Sequence, residues 1–279
     1  MNIFITGGSQ GIGLEIIKNF NKKKNKILVT CRSDKSYLRL KKLKAIARLK
    51  IVRVNLQSSI ETIKLAKIAN QYFKNSLDVL INNAGSNGEV NFIHNLKIKK
   101  WINTIHLNLI SPFILVKQMS KILSNKKGVV INICGGGSLK GDQGLSAYGA
   151  SKAGLARLSE VMSLDFEKKN ILVYAISPGI FNTKIQKNYL DFLKLNNPKF
   201  YNIFNDKLNA NNSSYGKICR LFNFLIKSKP KNLSGKIISA QFDKIEFLKK
   251  CEKNNLKEIF HLRRIDNIFF KQIIKKNSR

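Results

Sequence analysis

The chain has 279 residues, of which 43% are hydrophobic, enough to bury a full core and to exclude a disordered chain. No apolar run is long enough to span a bilayer, and the opening Met1-Asn2-Ile3-Phe4 lacks the basic region and apolar stretch of a secretory signal, which predicts a cytoplasmic protein. A net charge of +35 attracts anions, but the Lys residues run along the whole chain with Asn and Ile and no aromatic-interleaved RNA motif accompanies them; this reads as compositional usage rather than nucleic-acid binding, and leaves room for an anionic substrate.

Residues 2–6 form a short apolar run, and Leu14, Ile16, Ile17 and Phe20 follow at helical spacing. Residues 27–30 and 51–54 read as the second and third strands, separated by a helix carried by Leu38, Leu40, Leu43 and Ile46. A helix over 63–73 leads into the run 78–82, apolar on both faces as a buried parallel strand must be. Then come a helix near 97–124, a strand at 128–133, a helix at 147–168 and a strand at 171–176. Strands alternating with helices predict an α/β fold: a single doubly wound parallel sheet, Rossmann-type, with helices on both faces.

Residues 184–216 break this rhythm and read as a substrate-side insertion, part helix and part loop, with Pro198 inside. Residues 233–242 read as a last strand. Residues 1–243 are therefore expected to form one catalytic domain. Residues 244–279 are expected to form a basic extension, helical in part and not a separate domain.

The first strand runs into Thr6-Gly7-Gly8-Ser9-Gln10-Gly11-Ile12-Gly13. Glycine permits positive φ and removes the Cβ that would hold a pyrophosphate away from the backbone. The helix that follows turns free N–H groups and its positive dipole end towards the phosphates. At the head of an alternating α/β pattern, this loop points to a dinucleotide site. The cysteines (31, 134, 219, 251) and histidines (94, 106, 261) are scattered, so neither a disulfide framework nor a metal site is expected.

Four further motifs follow in order. Asn82-Asn83-Ala84-Gly85 ends the strand 78–82 with small residues against which a cofactor can lie. Asn108 sits inside the 97–124 helix. Tyr148-Gly149-Ala150-Ser151-Lys152 puts a phenol and an ammonium at i and i+4, on one helix face, where the cation is expected to lower the phenol pKa. Tyr148 is then a candidate general acid/base. Pro178-Gly179 and Thr183 follow the strand at 171–176.

Together these resemble the short-chain dehydrogenase/reductase family over residues 1–183, weakly again over 233–243. The resemblance implies hydride transfer between a nicotinamide cofactor and a carbonyl or alcohol. Tyr148, Lys152 and Asn108 would form the proton relay. It implies cofactor contacts at Gly7, Ser9, Gln10, Gly11, Ile12 and Gly13 in the first loop. Arg32, Asn55 and Leu56 would flank the adenosine, with Asn83, Ala84 and Gly85 beneath it. Tyr148, Lys152, Pro178, Gly179, Ile180 and Thr183 would lie at the nicotinamide end. A homo-oligomer, dimer or tetramer, is implied as well, through the helices near 97–124 and 147–168.

The chain departs from the pattern at Gly135, where the family carries a catalytic Ser 13 residues before the Tyr. Ser138 could fold back over Gly135-Gly136-Gly137 and supply the hydroxyl, Cys134 could stand in, or the site could be weakened; a thiol is the poorer donor, which favours Ser138. The departure also keeps a non-catalytic dinucleotide-binding protein as an alternative. At the end of the second strand, Cys31 replaces the acid that pairs with the ribose of NAD, and Arg32 follows. A guanidinium suits the 2′-phosphate of NADP, so NADP is the expected cofactor, with NAD possible.

Overall fold

The structure is a computed structural model that describes residues 1–43, 47–74, 76–181, 183–209 and 214–254. The apolar runs become seven strands: β1 (Asn2–Ile5), β2 (Lys26–Cys31), β3 (Arg48–Arg53), β4 (Val79–Asn82), β5 (Val129–Ile133), β6 (Leu172–Ser177) and β7 (Ile237–Ser239). They form one sheet in the order β3-β2-β1-β4-β5-β6-β7, every pairing parallel. The helices between them are α1 (Gly11–Phe20), α2 (Asp34–Lys41), α3 (Ser59–Phe73), α4 (Ile98–Ile105), α5 (Ser111–Ser124) and α6 (Ser146–Asp165). After β6 come α7 (Lys184–Asn196), α8 (Pro198–Asn209) and α9 (Tyr215–Ser228), and after β7 comes α10 (Ile245–Asn254).

Side chains alternate across a strand, so β1 sends Ile3 and Ile5 to one face and Phe4 to the other. Ile3 and Ile5 join a core with Ile16 and Ile17 of α1 and Phe222 and Leu225 of α9. Phe4 joins a second core with Leu65 and Phe73 of α3 and Leu115 and Met119 of α5. The sheet is thus covered on both sides, as the doubly wound reading requires. Between β3 and β4 the chain crosses over β1, which opens a crevice at the carboxyl ends of β1 and β4.

Four elements differ from their sequence-based outlines. β3 begins at Arg48 rather than at residue 51. It is an edge strand paired only with β2, so Arg48, Lys50 and Arg53 face water and hide its first half from an apolar pattern. The last strand shrinks to 237–239, because Lys231–Leu233 form a 3₁₀ turn and Gly235 takes φ +82. The long helix near 97–124 is α4 and α5 joined by a π-turn at His106–Ile110. The insertion is two helices, α7 and α8. Of the basic extension, α10 belongs to the main fold: Leu248 and Cys251 lie in the α1-side core. Residues beyond 254 lie outside the described residues.

Candidate active site

At the phosphate loop, Gly7 and Gly11 take φ +68 and +54. A Cβ on Gly13 would stand 2.3 Å from the Gly7 carbonyl oxygen and 2.6 Å from Asn83 Nδ2. Asn83 is the clamp of this loop: its Nδ2 donates to Thr6 O at 3.0 Å and Gly7 O at 2.8 Å. Thr6 Oγ1 accepts the N–H groups of Asn83 and Ala84 at 3.1 and 3.0 Å, and Thr30 Oγ1 accepts that of Gly7 at 3.0 Å. The loop is therefore tied to β2 and β4 before any ligand arrives. Gln10 precedes α1 without a side-chain cap, leaving first-turn N–H groups for an anion. A Cβ on Gly11 would meet only Thr183, at 3.6 Å, so Thr183 lies across the mouth of this cradle. The cradle fits a pyrophosphate.

Asn108 sits in the π-turn, fully buried. Its Nδ2 donates to Ser86 O at 2.9 Å and Ser151 Oγ at 3.0 Å, and its Oδ1 accepts the Ser86 N–H at 3.0 Å. A π-turn is the helix irregularity expected at a functional residue. Ser151 in turn donates to Tyr148 O at 2.8 Å, which couples Asn108 to α6. A Cβ on Gly85 would lie 3.3 Å from Asn108 Oδ1 and 3.4 Å from Lys152 Nζ. Gly85, Asn108 and Lys152 thus converge at the carboxyl ends of β4 and β5. A buried polar chain fixes α6 over this point: Asn82 Nδ2 to Asn132 Oδ1, then Asn132 Nδ2 to Ser159 Oγ, each at 2.8 Å.

Lys152 is buried, and its Nζ donates to the Ile133 carbonyl at 2.6 Å. It lies 5.9 Å from the centre of the Tyr148 ring, so the two share a helix face as their spacing requires. The expected effect on the phenol is reversed. Burial pushes Tyr148 up to about 12, with smaller contributions from Cys134 and Asp142, while burial brings Lys152 down to about 8. The cause is the second glycine loop. A Cβ on Gly135 would stand 2.6 Å from Tyr148 Oη, and one on Gly137 2.7 Å from the ring edge. The loop lies directly on the phenol, and desolvation outweighs the ammonium.

Ser138 does fold back, but onto its own turn. Its Oγ donates to Gly135 O at 2.6 Å and is buried. Cys134 is fully buried under Lys152 and Leu155, and burial raises its thiol to about 12. Arg32 is exposed at the end of β2, and Asp34, the nearest carboxylate in the chain, is engaged by Arg53. Asn55 Oδ1 accepts the Gln57 N–H at 3.1 Å, while Leu56 is buried and its carbonyl meets His106 Nδ1 at 3.1 Å. Pro178 is held by Gln241 Nε2 on its carbonyl at 2.6 Å, and Gly179 takes φ +99 before Ile180.

Several residues escape sequence reasoning. Arg39, one helical turn and a half beyond Asp34 in α2, donates to Ser9 O at 3.4 Å and brings its guanidinium to the glycine loop. Its signal was a basic residue in the last turn of a helix, which is common. Phe92, Leu145, Phe192, Phe204 and Tyr189 form an apolar cluster against Tyr148, built largely from the insertion. Tyr189 is 1% exposed and its Oη finds no hydrogen-bond partner among the described residues.

The glycine-lined loop at the switch point and the Asn108, Tyr148 and Lys152 side chains thus lie along the same sheet edge. The chain belongs to the short-chain dehydrogenase family, whose model matches residues 1–193. It is 34% identical over 187 residues to the 3-oxoacyl-(acyl-carrier-protein) reductase FabG of Buchnera aphidicola subsp. Acyrthosiphon pisum, a span of 64% of this chain and 73% of that one. It is 30% identical to glucose 1-dehydrogenase 2 of Bacillus subtilis, over 64% of this chain and 71% of the relative. Among solved structures, a 4-hydroxyisoleucine dehydrogenase complexed with NADH is 27% identical with a TM-score of 0.70, covering 85% of this chain and 96% of that one. An L-sorbose reductase from Gluconobacter frateurii complexed with NADPH and L-sorbose shares the fold, at 21% identity and a TM-score of 0.72, covering 85% and 94%. The protein is an NAD(P)-dependent oxidoreductase. No helix among the described residues is long and apolar enough to cross a membrane.

Proposed function

We propose that the chain interconverts a carbonyl and an alcohol with Tyr148 as the acid/base, and that NADP is the cofactor it prefers. The observation that carries this reading is the convergence of Gly85, Asn108 Oδ1 and Lys152 Nζ beside Tyr148 at the carboxyl edge of the sheet. When bound, the nicotinamide supplies or accepts the hydride. The chain's own residues hold the phosphates on the Gly7–Gly13 backbone and move the oxygen's proton through Tyr148. Lys152 holds the ribose and donates a charge-assisted hydrogen bond there. Asn108 keeps the π-turn open and links the relay to Ser86 and Ser151.

Tyr148 rests above the neutral range under its glycine cover, so it begins as the protonated acid suited to reduction. Ser138 is the nearest hydroxyl in the loop. It reaches a substrate oxygen once the turn at Gly136–Ser138 opens and releases its bond to Gly135. The aromatic cluster around Tyr189 and Phe192 suits a substrate with an apolar body.

The NADP preference rests on the exposed Arg32, on Arg39 at Ser9, and on Cys31 where a ribose-binding acid would stand. Exposed Phe113, Val161 and Leu164 on α5 and α6 offer an apolar face for a second copy of the chain, which sedimentation would show as a dimer or larger oligomer.

The test is turnover of a ketone and aldehyde panel with NADPH and NADH. Tyr148→Phe should lower kcat by about 10²–10⁴, and equal rates in variant and wild type would reject Tyr148 as the acid. Ser138→Ala should cost on the order of 10²–10³ if its hydroxyl donates to the substrate oxygen. Arg32→Ala should weaken NADPH far more than NADH; equal losses would reject the assignment.

A further inference from the structure

In a parallel α/β sheet every helix-to-strand connection lies at one pole, opposite the carboxyl edge that carries the site. Exposed lysines crowd the connections at that pole. The α1–β2 connection presents Lys22, Lys23 and Lys24, all exposed. The α5–β5 and α6–β6 connections present Lys126 with Lys127 and Lys168 with Lys169, also exposed. None of these enters an ion pair among the described residues. The strand-to-helix loops are balanced instead. Their acids Glu89 and Asp142 sit in ion pairs with Lys100 and Lys140 at 2.9 and 3.0 Å.

Lysines cluster most closely where β2, β3 and the end of α3 meet. Lys26 Nζ lies 4.2 Å from the centre of the Tyr72 ring and Lys50 Nζ 5.4 Å from it, with Arg48 and Lys74 alongside. Burial, and to a smaller extent the neighbouring Arg48, Lys74 and Lys50, hold Lys26 below its ordinary pKa. The carboxylates of this pole do not offset it: Asp78 Oδ2 accepts the Asn2 N–H at 2.7 Å, and Asp165 and Glu167, both exposed, enter no ion pair among the described residues. Helix dipoles favour a cation in each last turn, by about 0.3–1 kcal/mol. That accounts for single lysines such as Lys18 and Lys121. It does not account for a triplet and two pairs in the connections beyond.

We propose that this pole docks the phosphodiester backbone of a nucleic acid, through Lys22–Lys24, Lys74, Lys126 and Lys168, without reading sequence. Seven strands at about 4.8 Å spacing give a basic front roughly 30 Å wide. A duplex carries about one charge per 1.7 Å of its axis, so several phosphates face the front at once. Of the large exposed apolar side chains, Phe113 near the start of α5 and Phe242 after β7 lie towards the carboxyl edge; Leu164 in the last turn of α6 and Met1 before β1 adjoin the lysine-bearing connections, two side chains that make no amphipathic face to enter an acyl layer. The pole also presents cations without an exposed aromatic row, which suits backbone contact rather than base stacking.

The experiment is fluorescence anisotropy of the full-length protein with a labelled 20-base-pair duplex across 50–300 mM KCl, beside co-sedimentation with phosphatidylserine vesicles. The pole variant carries Lys22→Glu, Lys24→Glu, Lys74→Glu and Lys126→Glu. A control of equal charge carries Lys64→Glu, Lys67→Glu, Lys99→Glu and Lys117→Glu on the helical flanks. The pole variant should lose at least tenfold in affinity more than the control and flatten the logarithmic salt slope by about 3. Equal losses in the two variants, no duplex binding by the wild type, or pole-dependent binding to vesicles but not to duplex would each overturn the proposal. NADPH turnover, measured in parallel, reports on the active site independently.

Discussion

Two glycine-rich loops sit on the same sheet edge and do opposite things. In the first, Gly7–Gly13, the missing side chains let the loop tie itself to β2 and β4 through Thr6, Thr30 and Asn83, and its free N–H groups face outward. In the second, Gly135–Gly137, they let the backbone lie on the Tyr148 ring. The first loop makes room for a ligand. The second occupies room beside the Tyr148 phenol, whose pKa burial raises to about 12. Glycine content alone is therefore not a sign of a binding loop; what the absent Cβ would have touched decides its role.

The comparison breaks most severely at Gly13. Gly13→Ala puts a methyl against the Gly7 carbonyl, which is backbone, and the Asn83 side-chain amide hydrogen-bonded to it, and neither can yield cheaply. Overpacking of this kind costs about 1–3 kcal/mol and here also displaces the phosphate cradle. Thermal unfolding should fall by several degrees and cofactor affinity by more than tenfold; an unchanged dissociation constant for NADPH would show that the clamp is not part of the cradle.

The next effect separates the loops by pH. Lys152 titrates near 8 in the fold and at its ordinary 10.5 when unfolded. Between those values the unfolded chain binds more protons, so this group adds stability as pH rises through the window, on the order of 3 kcal/mol in all. Tyr148 works the other way: its raised pKa makes stability fall from about pH 10 towards 12. Lys152→Met should therefore stabilise the cofactor-free protein near pH 7 and flatten the rise between pH 8 and 10. A wild-type melting curve that shows no such rise relative to the variant would contradict the buried ammonium.

Within the second loop, Gly135→Ser and Gly136→Ala make a matched pair. A side chain at 135 meets Tyr148 Oη at 2.6 Å and sits at φ +95, whereas one at 136 meets nothing within 4 Å. The first should destabilise by about 1–2 kcal/mol. The second should stay within about 0.5 kcal/mol. If Gly135→Ser instead raises kcat with no loss of stability, the loop is easily displaced and the family's serine has simply been restored.

Much of this was legible beforehand. The seven strands, their order of appearance, the phosphate loop and the Tyr148–Lys152 pair follow from periodicity and spacing, because buried parallel strands must be apolar throughout. The π-turn at Asn108 is foreshadowed only by a polar residue inside a helix. What the sequence hides is burial: the ammonium beside Tyr148 argues for a lower pKa, and only the path of Gly135–Gly137 reveals the desolvation that wins. Arg39 and Tyr189 are hidden for a similar reason, since each matters through a loop distant in sequence, at Ser9 and in the Leu145 cluster. The polar asymmetry of charge is invisible to composition, because the lysines are evenly spread in sequence and become neighbours only once the connections share a pole.

The smallest effect concerns the aromatic cover over the second loop. A Cβ on Gly144 would enter the Phe192 ring, so α7 sits tightly on the segment that leads from the glycines to Tyr148. Inside that contact, Tyr189 Oη is buried without a partner among the described residues, and burial raises its pKa with Asp142 adding to the shift. An unmade hydrogen bond in such a place costs about 1–3 kcal/mol, and the ring alone fills the same space. Tyr189→Phe should therefore raise stability by about 1 kcal/mol in denaturant unfolding of the cofactor-free protein, with an unchanged slope. Destabilisation by a similar amount would mean that the hydroxyl is satisfied after all. The same substitution measured with substrate bound should lose that gain if the substrate supplies the missing acceptor, because the phenol then has a bond to forfeit.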